Sequence, residues 1–178
     1  MIARWGVAAS VCLLSLAPPG AAQGSGPGEY EVKAAFLYNF ALYLEWPASA
    51  FEGRSTFTIG RVGPDVFDGA LEKTMKGRTA QGKPVEVLRF ATAEDVKPCH
   101  ILFVPVGERD QLARIAKAVQ GGSTYVVSEF EGALRKGALL NFYLEDKRVR
   151  IEVNPDASAR ENLKISAKVL RVARIVKE

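Results

Sequence analysis

The chain has 178 residues, 48% of them hydrophobic and 25% charged, which suits a single globular domain with a sizeable core. Its net charge of +4 is too weak to make nucleic acid the expected partner. Its one histidine, His100, and the one cysteine outside the N-terminal apolar run, Cys99, fall short of the three or four ligands of a zinc site, and no H-E-x-x-H or C-x-x-C spacing recruits others.

In chain order, Arg4 precedes the apolar run GVAASVCLLSLA, and PPGAAQG follows with small Gly20 and Ala22 at the positions a signal peptidase reads. A signal peptide over residues 1–22 is expected, cleaved after Ala22. A retained span needs about 20 apolar residues, whereas this run is shorter and is followed by Pro18-Pro19, so no membrane insertion is expected after cleavage. Cys12 lies mid-run behind Val11, a poor context for lipidation. With Arg4 removed, 23 basic side chains face 20 acidic ones, and the resulting excess of +3 falls after Pro155.

Residues 23–28, QGSGPG, have the composition of a flexible lead-in, and one folded domain is expected over 29–178. EYEVKAAFLYNFALYLEWP predicts a helix from about Tyr30 to Glu45, ended by Pro47. Val32, Phe36, Phe40 and Tyr43 form one apolar stripe, and Ala35, Leu42 and Trp46 extend it round the axis. A helix that apolar is covered by core, by membrane or by another subunit.

Strands are expected at 56–62, 83–90, 100–106 and in STYVVSEF. Between them lie a helix in GPDVFDGALEKTMKG, with Asp65 near its start and Gly77 past its end, a short turn of helix at 93–96, and a helix in ERDQLARIAKAVQGG. This alternation implies an α/β domain with a mostly parallel sheet and helices on both faces. GALLNFYLEDKRVRIEVN then predicts an antiparallel hairpin turning at Glu145–Lys147. A last helix is expected from Pro155 to about Val176, with Lys164, Lys168 and Arg171 on one side and a wide apolar arc elsewhere.

KPCHILFV places Cys99 beside His100 at the start of an apolar strand. Neighbouring strand side chains point to opposite faces, so the two cannot act as nucleophile and base. Cys99 has no partner beyond the leader and is expected as a free, buried thiol; a reactive thiol is the alternative. IGRVGPD lacks a phosphate-binding glycine pattern, and no G-x-S-x-G elbow exists. The expectation is no catalysis, no cofactor and no metal.

KAAFLYNFALYLEWP, IGRVGPDVFDGAL, CHILFV, STYVVSE and NFYLEDKRVRIEVNPDASARENLKISAKVLRVAR, in that order over about residues 30–174, resemble the YfiR family of periplasmic proteins. The resemblance implies a Rossmann-like three-layer α/β/α sandwich in the periplasm that binds the periplasmic domain of an inner-membrane diguanylate cyclase and holds it inactive. It also implies release under envelope stress with an outer-membrane lipoprotein, a rise in cyclic di-GMP and biofilm growth. Many relatives pair a cysteine at the Cys99 position with one on the first strand, where this chain has Gly60, so the family's redox-sensitive disulfide is absent. The expected partner surface comprises Phe36, Phe40, Tyr43, Lys164, Lys168 and Arg171, with a homodimer as a further use of it. The alternative is a small-molecule sensor whose crevice, at the carboxyl ends of the parallel strands, contains Gly63, Asp65, Pro105, Ser128 and Glu129.

Overall fold

A computed structural model describes residues 28–177. The expected signal peptide, Cys12 and the lead-in up to residue 27 lie outside the described residues.

The first helix, α1 (Glu29–Tyr43), begins where Glu31 turns back to accept the Gly28 N–H at 3.0 Å, and ends as Leu44 becomes extended. It buries Ala34, Leu37, Phe40 and Ala41, a stripe of helical spacing. Phe40, expected on the partner surface, is therefore a core residue, 1% exposed and stacked on Phe142 at 5.8 Å. After β1 (Leu44–Glu45) and a 3-10 turn, the parallel strands follow: β2 (Phe57–Val62), β4 (Lys83–Phe90), β5 (Ile101–Val104) and β6 (Tyr125–Ser128). β2, β5 and β6 are buried at every position, as continuous apolar runs in a covered sheet require. Between them lie α2 (Ala70–Met75), β3 (Thr79–Ala80) and α3 (Leu112–Ala118). β3 is an edge strand the sequence reading did not identify, paired antiparallel with β4. Asp65 does not cap α2; it closes the preceding turn by accepting the Phe67 and Gly69 N–H groups.

The sheet continues with β7 (Leu140–Glu145), parallel to β6, and antiparallel β8 (Arg148–Val153). The connecting Asp146 and Lys147 both have positive φ, 50° and 61°, the geometry of a two-residue hairpin turn.

The expected continuous last helix is absent. In its place are α4 (Pro155–Arg160), β9 (Lys164–Ile165), α5 (Ala167–Leu170) and β10 (Ala173–Ile175). Asn154 caps α4 by accepting the Ala157 N–H at 2.8 Å, and Asn162, with φ of 57°, sits outside the helical region just beyond it. β9 pairs with β1, and β10 joins β8, so sheet pairing outweighs the helical spacing of Ile165, Val169, Val172 and Val176. The wide apolar arc is thus shared among two short helices and two strands.

The eight-stranded order is β10-β8-β7-β6-β5-β2-β4-β3. One apolar cluster joins one face of the sheet to α1, α2 and α5, and a second joins the other face to α3 and the 3-10 turn Leu134–Lys136. The result is a three-layer α/β/α domain with a mostly parallel sheet. Each fully buried Leu, Ile or Phe contributes about 1.5–3 kcal/mol, so these clusters supply the main driving force.

Candidate protein interface

On α1, Asn39 and Phe40 each lie three or four residues from both Phe36 and Tyr43, so the four share a flank. That flank meets Lys168, Val169 and Val172 from the α5 segment and Ile151 from β8, and together they line a cleft of about 250 Å³. Phe36 leans on Phe142 at 5.9 Å and anchors the wall. Lys168 Nζ sits 4.5 Å from the centre of the Tyr43 ring, a cation–π contact worth about 0.5–1 kcal/mol where solvent reaches it.

Tyr43 is 37% exposed and Val172 65%, and with Leu144 and Ile175 they are the exposed large hydrophobics among the described residues. Tyr43 and Val172 open to solvent from one cleft, with a cation beside them. Next to it, β10 ends the sheet: the Val176 N–H reaches the Val153 carbonyl, so the alternate peptide N–H at Ile175 points away from β8. Apolar contact area, a cation and an open strand edge therefore adjoin one another, features that protein partners use.

Of the six residues expected at a partner surface, Phe36, Phe40, Tyr43 and Lys168 line this cleft. Lys164 lies on β9 opposite Glu45 in the β1–β9 pair and borders a separate cavity with Trp46, Pro47 and Asn162. Arg171 is exposed just after α5. Lys164, Lys168 and Arg171 thus share no helix face. Arg174 is committed elsewhere: its guanidinium binds Glu152 and lies 4.2 Å from the centre of the Tyr143 ring. Asn39, Ile151 and Val172 escaped the sequence reading as site residues. Val172 was visible only as surplus apolar character, and Ile151 needed the β8–β10 pairing.

The crevice residues also come together, with the protein's own groups filling it. Glu129, its side chain 2% exposed, accepts from Lys33 Nζ at 2.7 Å, from the Tyr30 hydroxyl at 3.1 Å and from the Val106 N–H at 3.0 Å. Burial, then the Glu129 charge, pushes the Tyr30 hydroxyl up to about 12. Ser128 donates to the Val104 carbonyl, and Pro105 is buried. Gly63, at φ of 74°, lies so close to Glu108 that an added Cβ would come within 2.7 Å of its carboxylate. Asp65 holds its turn and faces Arg61 at 3.6 Å. A ligand in this crevice would have to displace Tyr30 and Lys33 from Glu129.

Cys99 is fully buried, and its thiol donates to the Ile101 carbonyl at 3.1 Å. Burial pushes it up to about 12, which keeps it protonated at neutral pH. An ideal Cβ at Gly60 would lie 2.9 Å from Cys99 Sγ, so the two positions implied by the family pairing do face one another. His100 points to the other face, as the strand alternation requires. It stacks on Phe57 at 4.5 Å, and its Nδ1 accepts the Thr58 N–H at 2.9 Å. Burial, then Arg54, brings its pKa down to about 4, so it is neutral over the physiological range.

Residues 30–174 match the YfiR/HmsC-like family, and the chain belongs to that family. Membership supports a periplasmic regulatory role in cyclic di-GMP signalling. No curated protein matches the chain. Among solved structures it is similar to a conserved domain protein from Vibrio cholerae O1 biovar El Tor, with 10% identity, TM-score 0.59, and coverage of 84% of this chain and 60% of that one. It is also similar to an ABC domain in complex with L-Trp from Streptococcus pneumoniae, with 11% identity, TM-score 0.53, and coverage of 83% and 60%. The chain thus spans about 60% of the length of each, and at these identities the likeness is one of fold alone. No helix among the described residues is long and apolar enough to cross a membrane.

Proposed function

We infer that this protein is a non-catalytic periplasmic regulator that binds the periplasmic domain of an inner-membrane diguanylate cyclase and holds the enzyme inactive, lowering cyclic di-GMP and biofilm formation. The observation that carries this reading is the cleft between α1 and α5, where Tyr43 and Val172 remain exposed beside Lys168 in a member of this family. Apolar burial in the cleft would supply affinity, and Lys168, with Lys164 and Arg171 nearby in sequence, would favour an acidic rim on the partner. An outer-membrane lipoprotein that competes for the chain would release the cyclase. In this reading residues 29–178 form the regulatory domain and residues 1–22 are the export signal.

Cellular cyclic di-GMP tests the reading. Deleting the gene should raise the nucleotide and biofilm mass, and a copy carrying Val172→Asp should fail to restore repression although the protein accumulates normally. Unchanged cyclic di-GMP in the deletion strain would overturn it.

A further inference from the structure

A second cleft, of about 380 Å³, opens at the amino ends of β6 and β7, on the α3 face of the sheet and away from the interface above. Its size lies within the usual range for small-molecule sites, about 300–1,000 Å³. Val126, Leu134 and Leu139 form an apolar floor, and Ala116 of α3 forms part of one wall. The opposite wall closes through Gly137, at φ of 105°, where any Cβ would come within 2.8 Å of the Ala116 methyl group. Glycine at this position is what lets the 134–137 turn approach α3 so closely.

The rim is cationic, formed by Lys117, Arg135, Lys136 and Arg160, with Glu161 the single carboxylate. Glu161 is occupied in accepting the Gly121 N–H at 2.9 Å. Lys136 Nζ lies 5.9 Å from the centre of the Phe130 ring. The ion pairs among the described residues do not include Lys117 or Arg135. The Thr124 hydroxyl on the inner wall is engaged by the Cys99 backbone, donating to its carbonyl at 2.6 Å and accepting its N–H at 3.2 Å. The interior therefore asks for apolar contact and the rim for negative charge, and a concave site ringed by one sign of charge concentrates ions of the other.

We propose that this cleft binds a small amphipathic organic anion, an aromatic or aliphatic carboxylate or sulfonate. Its apolar body rests on Leu134 and Leu139, and its charge is held by Arg135, whose planar guanidinium suits a two-oxygen anion, and by Lys117. The site is separate from the cleft assigned to the cyclase, so its test stands or falls independently of that reading.

The probe is 1-anilinonaphthalene-8-sulfonate, followed by fluorescence titration of the folded protein, with uncharged N-phenyl-1-naphthylamine as its neutral counterpart. Saturable binding of the sulfonate is expected, at least about tenfold tighter than the neutral probe, and weakened about tenfold by Arg135→Gln and further by adding Lys117→Gln. Both positions are exposed, so melting temperature should hold in each variant. Val172→Asp, in the other cleft, should leave the affinity unchanged. The proposal is overturned by an absence of saturable binding, by equal affinity for the two probes, by affinity within twofold of wild type in the double variant, or by loss of binding on Val172→Asp.

Discussion

The crevice above the carboxyl ends of the strands and the cleft between α1 and α5 are both built on the first helix, and they differ in what they leave unfinished. In the crevice, Lys33 and Tyr30 reach a carboxylate 96 and 99 residues away, and the Val106 N–H completes its set of donors. A buried charge so fully partnered is part of the structure, because exposing it would forfeit those bonds. In the cleft the imbalance runs the other way, with two large apolar side chains left partly in water and little polar demand around them. Satisfied polar groups point to folding; unsatisfied apolar surface points to a partner.

If the crevice is structural, Lys33→Met should destabilise the protein by about 3–5 kcal/mol, since Glu129 would stay buried without its cation. Adding Glu129→Gln should recover much of the loss, and chemical denaturation of the single and double variants measures both. Next in size is a pH effect at the amino ends of β2 and β5, where His100 meets Thr58. His100 has a folded pKa of about 4 against an ordinary 6.5, so between those values the unfolded chain takes up a proton that the folded chain refuses. Stability should therefore be complete above pH 6.5 and fall by about 3 kcal/mol as the pH drops to 4, with that part of the slope missing in His100→Asn. Cys99→Ser should cost about 1–3 kcal/mol by placing a more polar hydroxyl in an apolar pocket, and the native thiol should resist labelling until the protein is denatured. The smallest stability effect belongs to the cleft: Val172→Asp, at a side chain 65% exposed, should shift stability by less than about 0.5 kcal/mol.

The contrast between the two regions also explains what could be read before folding. The central strands were legible because FTIGRV, ILFV and YVVS are runs that only a covered sheet uses, and the hairpin because Asp146-Lys147 interrupts two alternating stretches. The C-terminal stretch was not, since Ile165, Val169, Val172 and Val176 are spaced as in a helix, while Lys164–Ile165 pairs with β1, about 120 residues earlier, and Ala173–Ile175 pairs with β8, contacts that local spacing does not encode. Phe36, Tyr43 and Lys168 were recognisable as surplus apolar and basic character at the two ends of the domain. That they meet depends on β8 presenting Ile151 between them, and that Lys33 is buried depends on Glu129, neither of which local periodicity encodes.

Partner affinity of the cleft is read by a binding isotherm. The partner is the periplasmic domain of the cyclase whose output rises when the gene is deleted, titrated against wild-type protein, Val172→Asp and Lys168→Glu. Val172→Asp should weaken binding by at least about thirtyfold, the loss of a central contact worth about 2 kcal/mol, and Lys168→Glu should give a smaller, salt-dependent loss. Melting temperatures should stay within about 2 °C of wild type. Affinities within twofold of wild type in both folded variants would contradict the cleft's assignment as the interface.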